Sequence, residues 1–332
     1  MQRQKNIQVC GIGNGVVDVQ YQISDELLNE LSVPKGEMRL VNAEYHIELQ
    51  EKLKNIKPNR CGGGSTGNTI DAFAKFGGQA AMLSAVADDE NGKFYYSELD
   101  KLNIKYKNNL ISEEPTGVCF VLITPDGERT MLTSLAASKY FSKNNLSEEL
   151  IANAQWLYIE GYMLSEDKST EAIMEAIEIA TQNGTKIAIS ASDVFIVDTF
   201  RPKLEKMLQS ADLLFCNKNE ALTLAQEKQD YKTALEKIRS TYPNLNVVMT
   251  KGGEGVTILY AGKYFESPAI EAEVVDTTGA GDMFAGAFLY GMLYFQEIEK
   301  AAKLASIAAS KIVAKLGARY DGNFNEIINK IK

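Results

Sequence analysis

The sequence predicts an α/β fold, with a doubly wound, mostly parallel sheet, helices on both faces and a small β-sheet lid. Three observations predict it. From residue 155 to residue 250 strand-like segments alternate with helical ones, the pattern of repeated βα units. Residues unusual for a core, such as Glu160-Gly161, Ser190 to Asp193, Asn217 to Glu220 and Lys251-Gly252-Gly253, follow the expected strands. They therefore gather at the carboxyl edge, where open α/β sheets bind ligands. Finally, Pro125-Asp126-Gly127 joins two strand-like runs into a hairpin that a simple βα series does not contain.

In chain order, residues 7–12 (IQVCGI) read as a buried strand. Gly13 and Gly15 follow. A Gly-x-Gly after a first strand opens a helix in dinucleotide folds, but residues 16–23 continue with strand-like residues, which disfavours a dehydrogenase. Asp18 interrupts that run, either as an exposed strand or turn residue or as a carboxylate at a cleft mouth, accepting bonds from substrate hydroxyls. Residues 24–31 form a short helix capped by Ser24 or Asp25, 33–36 a turn, 37–41 a short strand and 42–54 a helix. A loop from Cys61 to Asn68 carries four glycines and enters a helix at 68–76, closed by Gly77-Gly78. That loop is either a connector or the floor of a small hydroxylated ligand. Residues 79–86 are a strand, 91–102 a helix, and 116–124 with 128–135 the two arms of the hairpin. With 16–23 and 37–41 they make the lid, inserted from about 15–41 and 115–136. Such a lid excludes water from a cleft, or offers its edges to a second copy of the chain. The βα series then runs 155–159, 167–183, 186–190, 199–209, 212–215, 218–225, 232–240 and 246–250, alternating strand and helix except that 232–240 is a second helix. A long second helix spans 298–315.

Composition bounds the function. The chain has 332 residues, 45% of them hydrophobic, so a large core is expected. A net charge of −9 disfavours nucleic acid and anionic membranes as partners. Cys10, Cys61, Cys119 and Cys216 form no CxxC pair, which suggests reduced thiols in a cytoplasmic protein. The N-terminus has no signal-peptide h-region, and the apolar run 283–295 is too short to span a bilayer. The single histidine, His46, sits in a polar context and is expected at the surface.

The chemistry centres on Asp276-Thr277-Thr278-Gly279-Ala280-Gly281-Asp282, which opens an apolar helix. Small residues Ala285, Gly286 and Ala287 allow that helix to pack closely. The Gly279–Gly281 turn gathers backbone N–H groups at a helix N-terminus, a position suited to phosphate. Asp282 is either an N-cap or, in a site built for anions, a group that takes a proton from an attacking alcohol. No Walker A string exists, so a phosphate user depends on this turn.

The string Asp-Thr-x-Gly-Ala-Gly-Asp resembles the signature of the ribokinase-like carbohydrate and nucleoside kinases, and further matches follow in the family's order from Gly13 to Arg319. The resemblance implies an ATP- and Mg2+-dependent kinase with Asp282 as base and the amides of Gly279, Ala280 and Gly281 around the transferring phosphoryl group. It implies substrate contacts from Asn14, Asp18, Gly63, Gly64 and Asn68, and also from Glu160, which is similar to a sugar-contacting glutamate of ribokinases. Asn217 and Glu220 match an Asn-x-x-Glu element linked to Mg2+ and phosphate, the metal bound directly or through water. Thr250, Lys251, Gly252 and Gly253 match the nucleotide-side turn. Asp276, Thr278 and Gly317 correspond to a monovalent cation (K+) position. Lys35-Gly36-Glu37-Met38, Gly63 to Asn68 and Glu128 to Met131 look most like the adenosine kinase branch, with Val16, Met38, Leu40 and Leu135 enclosing a base. A nucleoside is thus the expected partner, a free sugar the alternative, and a sensing protein that keeps the fold without catalysis the non-enzyme alternative. The chain is expected to be a monomer or a lid-mediated homodimer.

Overall fold

The structure, a computed structural model, describes residues 5–331. Its main sheet has nine strands. From edge to edge they are Lys263–Ser267, Val256–Tyr260, Asn246–Thr250, Leu213–Asn217, Lys186–Ser190, Ala154–Glu160, Ile7–Ile12, Ala80–Leu83 and Lys105–Tyr106. All neighbours pair in parallel except Val256–Tyr260, which runs antiparallel to both Asn246–Thr250 and Lys263–Ser267. The chain leaves Ile7–Ile12 toward one edge and later returns beside it at Ala154–Glu160 to build toward the other. That reversal opens a crevice at the carboxyl ends of these two strands, the switch point where such sheets take ligands.

Alternation along the strands divides the core. Val9, Met82 and Tyr158 pack on one face with the helices Ser65–Lys75, Ala280–Phe295 and Ile298–Ile312. Cys10, Leu83 and Leu157 pack on the other with Asp167–Gln182, Arg201–Leu208, Lys218–Leu224 and Tyr231–Thr241. The period of two puts adjacent residues on opposite faces, so each buried strand serves both layers.

The lid is a separate five-stranded sheet, ordered Met38–Leu40, Arg129–Ser134, Gly117–Ile123, Val16–Gln22 and Asn59–Gly62. Its last strand lies outside the expected lid, because glycines and polar residues gave 59–62 no strand pattern. Register places Asp18 between Cys61 and Cys119, on the same face as Val16. The opposite face is covered by the helix Ala43–Leu53, and this is why His46 departs from expectation. It is buried at 3% exposure, edge-on to Phe120 with 4.9 Å between ring centroids, and burial lowers its pKa. Met38 and Leu40 are exposed on the lid's edge strand, and the register sets them on the same face as Val16 and Asp18.

Other differences are local. The helix expected at 68–76 begins at Ser65, directly after the glycines. The strand expected at 79–86 breaks into Ala80–Leu83 and Val86–Ala87, the latter pairing with Leu110–Ile111. The helix expected at 199–209 is divided by Phe200 into Val194–Thr199 and Arg201–Leu208, with Pro202 in the first turn of the second, where its missing N–H costs nothing. The helix Phe324–Asn329 was not foreseen.

Ala280–Phe295 crosses Ser65–Lys75 at backbone distance. A Cβ on Gly286 would lie 2.5 Å from the Thr69 carbonyl oxygen and 3.1 Å from the Phe73 nitrogen. Gly286→Val is therefore expected to destabilise the protein by about 1–3 kcal/mol, the scale of overpacking in a core, measured by denaturant unfolding.

Candidate active site

That crossing sets two helix N-termini side by side. Gly279, at φ +75°, turns the chain into Ala280–Phe295, and a Cβ there would lie 2.5 Å from the Ala318 carbonyl oxygen. In the first turn the Ala280 amide donates to the Thr277 carbonyl at 3.2 Å and the Met283 amide to that of Gly279 at 2.8 Å. Among the described residues, the amides of Gly281 and Asp282 have no acceptor in the chain. A Cβ on Gly281 would meet nothing within 4 Å. Two free donors, an open approach and the helix dipole make an anion site.

Asp282 stands inside that turn. Its Oδ1 accepts from Ser65 Oγ at 2.7 Å and its Oδ2 from Asn68 Nδ2 at 3.2 Å. Burial pushes its pKa up to about 6, the donors Ser65 and Asn68 pull it down, and the charges of Glu160 and Asp18 push it up. A carboxylate held near neutrality and accepting two bonds is a workable base at physiological pH.

The expected substrate residues do converge. Asp18 looks across at the glycine loop, where a Cβ on Gly63 would lie 2.3 Å from its Oδ1. Burial raises Asp18 to about 6 against the opposing charges of Arg319 and Arg129. Gly64, at φ +80°, brings its backbone against the Asn14 carbonyl. Glu160 departs from its expected role. It is 0% exposed and lies beneath the loop, accepting from the Asn14 amide at 2.9 Å, Asn14 Nδ2 at 2.8 Å and the Thr66 amide at 2.6 Å. Burial pushes its pKa up while those donors pull the other way. Its work in this structure is to order the loop.

On the far side of Asp282 lies a cavity of about 550 Å³, lined by Thr250, Gly252, Gly253, Ile270, Ser306 and Val313 among others. It shares Thr250, Gly281 and Phe284 with a chamber of about 270 Å³ that holds Asn217, Glu220, Ser190 and Asp282. The larger space suits a nucleoside moiety and the smaller one its phosphates, so the residues present fit ATP. Gly252 and Gly253 leave open space where a Cβ would stand, while the Lys251 ammonium lies 5.1 Å from the centre of the Tyr231 ring. Glu220 and Asn217 form a capping box: the Glu220 amide donates to Asn217 Oδ1 at 2.9 Å and the Asn217 amide to Glu220 Oε2 at 2.8 Å, while Asn217 Nδ2 donates to Oε1 at 2.5 Å. Burial raises Glu220 to about 7, with the Asn217 amide lowering it and Asp193 raising it. Because both its oxygens already accept bonds, Glu220 fits Mg2+ through water. Among the described residues no group of three or more His, Cys, Asp or Glu side chains is placed to hold a metal. Any Mg2+ would therefore take most of its ligands from phosphates and water, its usual habit.

Asp276, Thr278 and Gly317 also come together. The Thr278 and Gly317 amides each donate to Asp276 at 2.9 Å. The positive charge beside Asp276 is the guanidinium of Arg129, reaching from the lid in a buried ion pair. Burial works to raise Asp276, but the bonds from Thr278 and Gly317 and the Arg129 charge outweigh it and leave the group below its ordinary value. Sequence reasoning missed Arg129 and Arg319, which are distant in sequence from what they touch. It missed Ser65 too, whose signal was its place one residue after Gly64 at a helix start.

The family model of the pfkB carbohydrate kinases matches residues 35–323. Adenosine kinase 2 of Arabidopsis thaliana is 25% identical, over 94% of this chain and 95% of its own length. The 5-dehydro-2-deoxygluconokinase of Halalkalibacterium halodurans is 27% identical, over 89% and 92%. The crystal structure of adenosine kinase from Sinorhizobium meliloti superposes with a TM-score of 0.87 at 29% identity, covering 98% of this chain and 99% of that one.

Two outcomes are expected from this geometry. Asp282 should titrate near pH 6 in carboxyl 13C NMR, and higher in Ser65→Ala, which removes a donor to the charged form. Arg129→Ala, which strands a buried carboxylate at Asp276, should lower the unfolding free energy by about 3–5 kcal/mol in denaturant titrations.

Proposed function

Since the chain belongs to the pfkB family of carbohydrate kinases, we propose that it phosphorylates the primary hydroxyl of a ribose-like unit in an adenosine-type nucleoside. The chain is a phosphotransferase acting on a hydroxyl group, a carbohydrate or nucleoside kinase. Kinases of this family use ATP, typically with Mg2+. ATP supplies the phosphoryl group, and Mg2+ offsets the charge of its phosphates.

In the proposed reaction Asp18, Asn68 and the backbone of Gly63 and Gly64 hold the ribose hydroxyls. Asp282 takes the proton of the attacking hydroxyl as its oxygen bonds to the γ-phosphorus and ADP departs. The amides of Gly281 and Asp282 stabilise the charge on the transferring group. Glu160 orders Asn14 and Thr66 from below. Asp276 already has its charge met by Arg129, and K+ is not part of the proposed reaction.

The observation that carries the nucleoside reading is the face of the lid that bears Asp18. There Val16, Cys119, Val121 and Ile123 form a separate apolar cluster, with Met131 and Leu135 packed against it. An apolar ceiling beside a hydroxyl-binding carboxylate suits an aromatic base attached to a sugar. A free sugar is the second reading, favoured by the resemblance to the deoxygluconokinase. No helix among the described residues is long and apolar enough to cross a membrane. With four free cysteines, three of them buried, we assign the protein to the cytoplasm. The open edge strand Met38–Leu40 makes the lid the place where a homodimer would form, and sedimentation distinguishes this from a monomer.

ADP formation from ATP and Mg2+ with adenosine, guanosine, inosine, cytidine, ribose, fructose, 2-keto-3-deoxygluconate and 5-dehydro-2-deoxygluconate tests the substrate. Turnover with nucleosides is expected. Turnover with a free sugar alone would replace the reading with the second one, and ATP binding without turnover would point to a sensor. With the accepted substrate, Asp282→Asn is expected to lower kcat by about two to four decades, the scale of general-base loss, with KM less affected.

A further inference from the structure

We infer that Arg319 is a positioning residue that fixes the side-chain amide of Asn68 with its nitrogen toward Asp282 and the substrate cleft. The inference rests on the reading of Asp282 as the base. Arg319 follows the helix Ile298–Ile312, and its side chain is 9% exposed. Its Nε donates to Asn68 Oδ1 at 3.0 Å and its Nη1 to Asp71 Oδ1 at 3.3 Å. Lys75 Nζ holds the other oxygen of Asp71 at 2.9 Å. The chain leaves room for this guanidinium, for a Cβ on Gly62 would lie 2.4 Å from Nη1. The ion pair thus sits in a built pocket between the glycine loop and the C-terminal segment.

The chemistry of the two groups decides the orientation. A guanidinium has donors and no acceptor, so Asn68 must turn its oxygen toward Arg319. The amide is planar, so its nitrogen then faces the other way and donates to Asp282 Oδ2 at 3.2 Å. One N–H remains for a substrate hydroxyl. A flipped amide would set oxygen against the carboxylate and N–H against N–H, two repulsive contacts in place of two bonds. Arg319 therefore selects the one orientation that favours ionised Asp282. The other groups around Asp282 do not replace this control. Ser65 donates to its other oxygen, Glu160 and Asp18 repel its charge, and Tyr158 and Tyr162 line the same chamber.

The test titrates Asp282 by carboxyl 13C NMR in ligand-free wild type, Arg319→Met, Asn68→Ala and the double variant, so it needs no turnover. Arg319→Met is expected to raise the midpoint by about half a pH unit, the scale of one lost hydrogen bond to the charged form, and Asn68→Ala by a similar shift. The double variant is expected to match Asn68→Ala alone, because Arg319 acts through Asn68. In Arg319→Lys the cation stays on Asp71 without the fork that also reaches Asn68, and a shift in the same direction is expected. This variant carries the test if the methionine variant does not fold. With an accepted substrate, the acid limb of kcat/KM should move with the midpoint and kcat/KM fall by about tenfold. An unmoved midpoint in a folded variant overturns the inference. So does an equal shift in the Asn68→Ala background, which would mean direct action of the charge. A wild type that phosphorylates none of the acceptors would instead count against the proposed function, while leaving the NMR comparison intact.

Discussion

The close crossing of Ala280–Phe295 and Ser65–Lys75 is the constraint on which the site depends. At Gly286 the two backbones come within a distance that excludes any side chain. Their N-termini therefore meet, and Ser65 and Asn68 of one helix lie against Asp282 of the other. Ser65 and Asn68 hold Asp282 only because the helices touch at this depth. A spacing normal for side chains larger than glycine would break both bonds without altering any site residue.

Asp18, Glu160, Glu220 and Asp282 are among the buried or half-buried carboxylates around this crossing, in a chain of net charge −9. They differ in how their bonds are used. Glu160 and Glu220 are occupied by neighbouring amides and build the loops on which ligands would rest. Asp282 accepts from two side-chain donors, and Asp18 faces the cleft beneath an apolar lid patch. The anion side is then served by uncharged donors, the free amides of one helical turn. An ammonium in the same place would lower Asp282 and weaken it as a base. The lid is joined to the same turn through the Arg129–Asp276 ion pair, so the cover and the anion site are coupled by one buried contact.

Much of this was legible in the sequence. The βα alternation from residue 155 onward, the hairpin at Pro125-Asp126-Gly127 and the helix behind Gly279 all came from patterns within a few residues. Repetition of strand and helix sufficed for the parallel sheet, because few topologies accommodate it. The residues at the strand ends were recognisable since glycine, asparagine and acids interrupt apolar runs there. The strand Asn59–Gly62 was not legible, because its pairing with Val16–Gln22 supplies what its own residues lack. His46 was misplaced because the sequence around it is polar, whereas the helix it sits on covers the back of the lid.

By itself the sequence determined the fold class, the glycine turn that opens the helix Ala280–Phe295 and the residue types that stand at the strand ends, since these follow from short-range periodicity and local turn chemistry. Tertiary structure decided which of those residues do what. Glu160 went under the loop, Glu220 into a capping box, and Asn68 to a fixed amide between Arg319 and Asp282. Those roles depend on contacts between segments as far apart as residues 68 and 319. Local pattern carries no information about such distances, and burial with hydrogen bonding sets both the orientation and the charge state of each group.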